Sequence, residues 1–130
     1  VAEGMIVDGE QPAGVVGGDT LATVLQAARE DEQVKAVVLR IDSEGGSAFA
    51  SAIIRAQLSL LQQAGKPVVA SMSGMAASGG YWIAAGADEI WAQPTTITGS
   101  IGIFVLFPSV YRSLAQVGVH CDGVGRSNNG

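Results

Sequence analysis

The feature that most restricts the fold of this chain is a strand, a turn of small residues and a helix, occurring twice in succession. Residues 36–41 are apolar except for Arg40 and include three β-branched side chains, which is typical of a buried parallel strand; two glycines and a helical pattern over residues 48–64 follow. A second apolar strand at residues 67–72 leads into small residues at 73–80 and an amphipathic segment at 81–85. A strand that is followed by a helix and then by another strand is typical of a right-handed crossover between two parallel strands. We therefore predict an α/β fold with a mostly parallel sheet and βαβ connections.

The two turns are the best candidates for a functional site. Ligands of parallel sheets bind at the carboxyl ends of the strands, where Gly45, Gly46 and Ser78 are all expected to lie. Ser78 stands at the predicted start of a helix, whose free N–H groups can stabilise developing negative charge, so its hydroxyl could be a nucleophile. The N–H groups of Gly79 and of one glycine in the other turn could then form an oxyanion hole. Taken alone, Ser78 could equally be an ordinary helix-capping serine.

Composition and charge indicate one α/β domain over residues 1–130. Apolar residues make up 48% of the 130-residue chain and charged residues 15%, which argues against disorder. A net charge of −5 argues against a nucleic-acid partner. The sequence contains no membrane-spanning run and no signal peptide, although an upstream portion could carry either. Cys121 is the only cysteine, and neighbouring His120 and Asp122 would point to opposite faces of a strand, which disfavours a Cys-His-Asp triad.

Three motifs together resemble a known family. LRIDSEGGS (39–47), SMSGMAASGGYWIA (71–84) and TGSIGIF (98–104) are similar to signal peptide peptidase A (protease IV), a family of membrane-associated serine peptidases with a serine/lysine dyad. The resemblance covers nearly the whole chain and implies the fold shared by the Clp protease and the crotonases. It also implies a nucleophile at Ser78, oxyanion donors at Gly79 and at Gly46 or Gly45, and a lysine-orienting hydroxyl at Ser100. Glu44 departs from the family, which usually has proline before the two glycines.

The general base required by this resemblance has no candidate in the sequence. Lys35 and Lys66 are the only lysines, and each precedes a strand, so both are expected at the far end of the sheet from Ser78. Arg126 stays protonated, and His120 is expected to be a surface residue. The resemblance therefore implies the serine-bearing carboxyl-terminal half of a long tandem enzyme, whose upstream half supplies the lysine. By itself the chain is expected to be inactive.

The resemblance further implies the biological setting. It predicts an oligomer at the periplasmic side of the bacterial inner membrane that degrades cleaved signal peptides, with no cofactor and no metal ion. Two alternatives stay open at this point, namely a crotonase-type acyl-CoA enzyme and a non-catalytic assembly domain.

Several local features complete the prediction. Asp19 or Thr20 should cap a helix ending near residues 31–33, Ser47 should cap the second helix and Gly65 should end it. Further predictions are a strand at 89–92, a loop at 95–102, packing of Tyr81 and Trp82 against the sheet, and pairing of Arg40 with Asp42 or Asp19. A strand at 103–107, a helix at 109–117 and a strand at 119–121 are predicted beyond these.

Overall fold

The computed structural model describes residues 1–102, and the three elements predicted at 103–107, 109–117 and 119–121 lie outside them. Seven strands and three helices are present in the described part of the chain. In order they are β1 (Ala2–Glu3), β2 (Ile6–Val7), β3 (Val16–Gly17), α1 (Gly18–Glu30), β4 (Val37–Ser43), α2 (Ala48–Gln63), β5 (Val68–Ala77), α3 (Gly79–Ala84), β6 (Glu89–Trp91) and β7 (Ile97–Gly99).

The main sheet is parallel, as predicted. Its strands lie in the order β1-β4-β5-β6, and β7 pairs with the end of β5, while β2 and β3 form a separate parallel pair. Leu39 of β4 pairs with Ala70 of β5, and Ile41 pairs with Met72. The register shifts between Ile41 and Ser43, so β4 ends in an irregularity at the edge where the two turns lie. The predicted α/β fold class is therefore confirmed.

One face of the sheet forms the core with the helices. The buried residues include apolar side chains from β4, β5 and all three helices, among them Leu25, Leu39, Ile41, Ile54, Leu58, Leu61, Met72 and Ile83. Burying a side chain of this size contributes about 1.5–3 kcal/mol. Within residues 1–102, no helix is long and apolar enough to cross a membrane.

The opposite face of the sheet is polar in its centre. Arg40 donates hydrogen bonds of 2.9 Å to the hydroxyls of Ser71 and Ser73 on the neighbouring strand. The predicted ion pair of Arg40 with Asp42 or Asp19 is wrong, because the guanidinium meets these two hydroxyls and the Asp42 carboxylate accepts from the Met75 N–H at 3.0 Å.

Helix boundaries follow the predicted signals with one exception. The Ser47 hydroxyl accepts from the Ala50 N–H at 3.1 Å, and Gly65 has a φ of +77° just after α2, both as predicted. The first helix instead begins at Gly18 without a side-chain cap. Thr20 does not cap it, because its hydroxyl accepts from the Gln11 N–H at 2.8 Å and so ties down the preceding loop.

The second long strand extends five residues beyond its predicted end at Met72. Two threonines from the predicted loop at residues 95–102 hold the end of β5 extended. Thr96 donates to the Ser73 carbonyl and Thr98 to the Ala76 carbonyl, each at 2.7 Å. The predicted loop itself contains the short strand β7, which pairs with the end of β5. At the other end of β5, the Asp88 carboxylate accepts from the Val68 N–H at 2.7 Å, and this hydrogen bond lowers the pKa of Asp88.

Candidate active site

Ser78 lies on a strained turn between β5 and α3. Its φ of +50° and ψ of −118° are sparsely populated for a residue with a side chain, and such a backbone costs about 1–3 kcal/mol. The turn is held from both sides, because the Ser78 N–H donates to the Gly99 carbonyl at 2.8 Å and the Ser78 carbonyl accepts from the Trp82 N–H at 2.9 Å. Ser78 occupies the N-cap position, but its hydroxyl makes no capping hydrogen bond. The capping role left open by the sequence is therefore not what this side chain does.

The glycine turn after β4 is bonded to Ile6 on one side. The Ile6 N–H donates to the Gly45 carbonyl and the Ser47 N–H donates to the Ile6 carbonyl, both at 2.8 Å. In a parallel bridge of this pattern, the N–H of the central residue, Gly46, points to the side away from Ile6. The Gly45 N–H is used differently, because it donates to the buried Ser43 hydroxyl at 3.0 Å.

The two turns touch each other so closely that glycine is required. A Cβ on Gly45, where φ is +101°, would lie 2.7 Å from the Gly79 nitrogen and 2.8 Å from Ser78 Cβ. A Cβ on Gly79 would lie 2.5 Å from the Ser51 hydroxyl. Gly45 and Gly79 therefore allow backbone-to-backbone contact between the turns, because neither residue has a Cβ.

A cavity of about 700 Å³ opens beside the Ser78 turn. Its lining is mainly small and apolar, with few polar groups other than the two serines. It is lined by Gly46, Ala48, Ser78, Gly79, Tyr81, Trp82, Ala85, Ser100, Ile101 and Gly102. The structure thus brings four of the five sequence-predicted site residues, all except Gly45, to one cavity. Gly45 does not line the cavity but lies against the backbone of the Ser78 turn.

Ser100 reaches the cavity through the pairing of β5 with β7. Ala77 pairs with Gly99 in this parallel ladder, so the next residue on each strand, Ser78 and Ser100, leaves the sheet at the same level. Ser100 also has a positive φ, +52°. Both serines therefore follow the ends of adjacent strands, and both have backbone conformations that residues with side chains rarely adopt.

The two aromatic residues after Ser78 both line the cavity but differ in exposure. Tyr81 packs against the hydrophobic core, as predicted. Trp82 is 44% exposed and lines the cavity, so its predicted packing against the sheet is wrong. Its position four residues after Ser78, one helical turn along, was the available signal that both side chains share a face.

Both lysines are engaged far from Ser78. Lys66 Nζ donates to the carbonyls of Ala28, Arg29 and Asp31 at 2.7–2.9 Å, and so satisfies the last turn of α1. It lies before the start of β5, and the ten residues of this strand separate it from Ser78 by roughly 33 Å at 3.3 Å per residue. Lys35 Nζ donates to the Glu32 carbonyl at 2.6 Å.

These positions leave no lysine of residues 1–102 beside Ser78. The other sequence candidates, His120 and Arg126, lie outside residues 1–102. Among residues 1–102, no cluster of three histidine, cysteine or acidic side chains could hold a metal ion.

Comparison with known proteins identifies a family. Residues 60–129 match the family model described as peptidase family S49. The chain is 57% identical to Protease 4 of Haemophilus influenzae over 122 residues, which cover 94% of this chain and 20% of that protein. It is also 57% identical to Protease 4 of Salmonella typhi over 126 residues, or 97% of this chain and 20% of the relative. The chloroplastic serine protease SPPA of Arabidopsis thaliana is 36% identical over 115 residues, 88% of this chain and 17% of the relative.

The chain thus spans about a fifth of the length of the curated relatives that it matches. A solved structure, a mutant of the 1510-N membrane-bound stomatin-specific protease, is similar in fold, with a TM-score of 0.58 and 21% sequence identity. The similarity covers 84% of this chain and 51% of the solved chain.

Proposed function

Because this chain belongs to peptidase family S49, we propose that it carries the nucleophile of a serine peptidase and that Ser78 is this nucleophile. The observation that carries the proposal is the Ser78 turn itself. Its strained backbone presents an uncapped hydroxyl to an apolar cavity, at the end of a strand and the start of a helix. A strained strand-to-helix turn of this type is a known way of exposing a nucleophilic serine.

The oxyanion hole is assigned to the N–H groups of Gly46 and Gly79. Both glycines line the cavity, and among residues 1–102 neither N–H has a hydrogen-bond acceptor. Of the two candidates in the glycine turn, Gly46 is preferred because the Gly45 N–H already donates to the Ser43 hydroxyl. Two N–H groups aimed at the developing oxyanion favour the tetrahedral state over the planar carbonyl, which is how they lower the barrier.

The general base of this proposal is a lysine from the upstream half of the protein, and Ser100 orients it. In a dry apolar cavity, desolvation disfavours the charged ammonium, so a lysine amine there can be neutral and accept a proton. The amine takes the proton of the Ser78 hydroxyl as the serine oxygen attacks the peptide carbonyl. It then protonates the leaving amine of the substrate. In the second step the same lysine amine takes a proton from a water molecule, which attacks the ester on Ser78 and releases the acyl group as a carboxylate.

The proposed substrates are apolar peptides, in particular cleaved signal peptides. The cavity lining supports this choice, because Ala48, Trp82, Ala85 and Ile101 offer mainly apolar contacts and no charge.

We further propose that the complete protein is a homo-oligomer at the periplasmic side of the bacterial inner membrane.

Active-site labelling tests the proposal. In the full-length protein, a fluorophosphonate probe should modify Ser78, as located by peptide mass spectrometry, and Ser78→Ala should remove the label and peptide hydrolysis together. The 130-residue chain alone should hydrolyse no apolar peptide ester, because the proposal takes the base from the upstream half and neither lysine of residues 1–102 lies beside Ser78. Label on another residue would refute the nucleophile assignment, and Ser78-dependent hydrolysis by the short chain would refute the upstream base.

The role of Ser100 is tested by kinetics. Ser100→Ala in the full-length protein should slow acylation by about tenfold to a hundredfold and leave the Michaelis constant nearly unchanged, because the amine loses its orientation and not its pocket. Pre-steady-state release of the first product measures the acylation rate. An unchanged acylation rate with a raised Michaelis constant would make Ser100 a substrate contact.

A further inference from the structure

A bulge interrupts β5 just before the proposed nucleophile. The ladder between β4 and β5 pairs Ile41 with Met72 and next pairs Ser43 with Ala76. Over this interval β4 advances by two residues and β5 by four, so the bulge, residues 73–75, adds two residues to β5. Before the bulge β5 pairs with β6, and after it β5 pairs with β7. Bulges of this kind are common beside active sites, where they change the direction of a side chain.

The bulge sets the level at which Ser78 meets the glycine turn. Two residues beyond the pair of Ser43 with Ala76, the ladder brings Gly45 level with Ser78. The contacts agree, because a Cβ on Gly45 would lie 2.8 Å from Ser78 Cβ and 2.9 Å from the Ala77 carbonyl oxygen. Without the two extra residues, Gly45 would be level with Ala76, and Ser78 would lie roughly 6.6 Å further along the strand at 3.3 Å per residue.

The Asp42 carboxylate holds the bulge on β4. It accepts a hydrogen bond from the Met75 N–H at 3.0 Å, and a Cβ on Gly74 would lie 3.6 Å from the same oxygen. Because a bulge interrupts the backbone ladder, this side-chain oxygen takes the place of a backbone acceptor. Among residues 1–102, it makes the one hydrogen bond from a β4 side chain to the backbone of the bulge, since Arg40 bonds the Ser73 hydroxyl instead.

We propose that Asp42 is a positioning residue: by holding the bulge of β5 against β4, its carboxylate keeps Ser78 level with the glycine turn. This inference rests on the proposed function, because the alignment of an attacking hydroxyl with oxyanion N–H groups matters only for that reaction. The other contact to the bulge, from Thr96 to the Ser73 carbonyl, ties β5 to the segment that carries Ser100 and not to the glycine turn. Asp42 does not line the cavity, so its loss should affect turnover more than substrate binding.

The test compares Asp42→Ala with Asp88→Ala in the full-length protein. Asp88 is a matched control, since its carboxylate also accepts from a backbone N–H of β5, that of Val68 at 2.7 Å, at the end of the strand far from Ser78. Both variants should lower the melting temperature, because each leaves an N–H of β5 without its acceptor. Asp42→Ala alone should lower kcat, by roughly tenfold to a hundredfold, with a Michaelis constant within about twofold of the wild type. Fluorophosphonate titration gives the fraction of active enzyme in each preparation.

Two milder variants separate the hydrogen bond from the charge. Asp42→Asn loses the charge but keeps an oxygen that can accept from Met75, so its kcat should stay within about threefold of the wild type. Asp42→Glu keeps the charge but moves the acceptor by one methylene, so its kcat should fall by about threefold to tenfold. Asp42→Glu also provides the test if Asp42→Ala does not fold.

Hydrogen exchange tests the bulge without reference to activity. In Asp42→Ala, the backbone amides of residues 73–78 should exchange faster than in the wild type, as followed by mass spectrometry of peptides from the full-length protein. Asp88→Ala should leave the exchange of these amides unchanged.

The outcomes are distinct. Wild-type kcat in titrated Asp42→Ala or in Asp42→Glu overturns the inference, and so does an Asp42→Asn variant as slow as Asp42→Ala. Unchanged exchange at residues 73–78 in Asp42→Ala also overturns it, because the carboxylate would then not hold the bulge. A wild-type enzyme that does not label at Ser78 overturns the proposed function instead, and faster exchange in Asp42→Ala would still show that Asp42 holds the bulge.

Discussion

Ser78→Gly is expected to abolish peptide hydrolysis by the full-length protein and to make it more stable than Ser78→Ala. Both variants lack the proposed nucleophile, and removing the nucleophile of a serine peptidase lowers kcat on the order of a millionfold. They differ at the backbone, because glycine adopts a φ of +50° freely whereas alanine retains the strain of the wild-type turn. Glycine also increases the entropy of the unfolded chain, so the net advantage over alanine should be about 1 kcal/mol.

Differential scanning calorimetry of the two variants measures this difference, with hydrolysis followed on the same preparations. Comparing two inactive variants removes any contribution from the chemistry. Equal melting temperatures would show that the Ser78 turn stores no strain, and hydrolysis retained by Ser78→Gly would mean that another group is the nucleophile.

Gly46→Ala is expected to lower turnover by at least a hundredfold in the full-length protein. A Cβ at this position would overlap the Ile6 carbonyl oxygen, and the φ of +145° is itself unfavourable for alanine. The turn must therefore move, and the Gly46 N–H moves with it. Loss of one oxyanion donor lowers kcat by a factor of roughly 10²–10³. Moving the glycine turn away from Ile6 should also lower the stability of the protein.

Gly65→Ala is the matched control for this experiment. Gly65 also has a positive φ, +77°, but a Cβ there meets nothing within 4 Å. Gly65→Ala should therefore lower the free energy of unfolding by about 1 kcal/mol through backbone strain alone and leave kcat unchanged. Near-normal turnover of Gly46→Ala, measured with the active fraction titrated, would place the oxyanion hole elsewhere.

Much of the fold could be predicted because local patterns and tertiary structure agree. The β-branched run in β4, the helical periodicity of α2 and the stop signal at Gly65 each specify one element from nearby residues. The predicted end of β5 was wrong because four of its last five residues are small and have little preference for a strand. They stay extended because Thr96 and Thr98, about twenty residues later, bond to them.

The candidate site was predictable in its residues and not in its geometry. The motifs singled out Ser78, Ser100 and the three glycines, but the choice between Gly45 and Gly46 depends on hydrogen bonds to Ile6 and Ser43. Likewise, exposed Trp82 differs from partly buried Tyr81 only through the packing of α3. Contacts between segments of the fold set these details, and the four-residue spacing from Ser78 to Trp82 is the one local pattern that indicates any of them.

The hydrogen bond from Ser78 to Gly99 also bears on the order of events during synthesis. The Ser78 N–H is bonded to a carbonyl that the ribosome adds twenty-one residues later, and the glycine turn that abuts it depends on Ile6, near the start of the described chain. A nascent chain that ends before Gly99 therefore has the serine but lacks the contact that holds its turn. The Ser78 turn takes its final geometry only after β7 has emerged and paired, so an incomplete chain in the cell carries no formed candidate site.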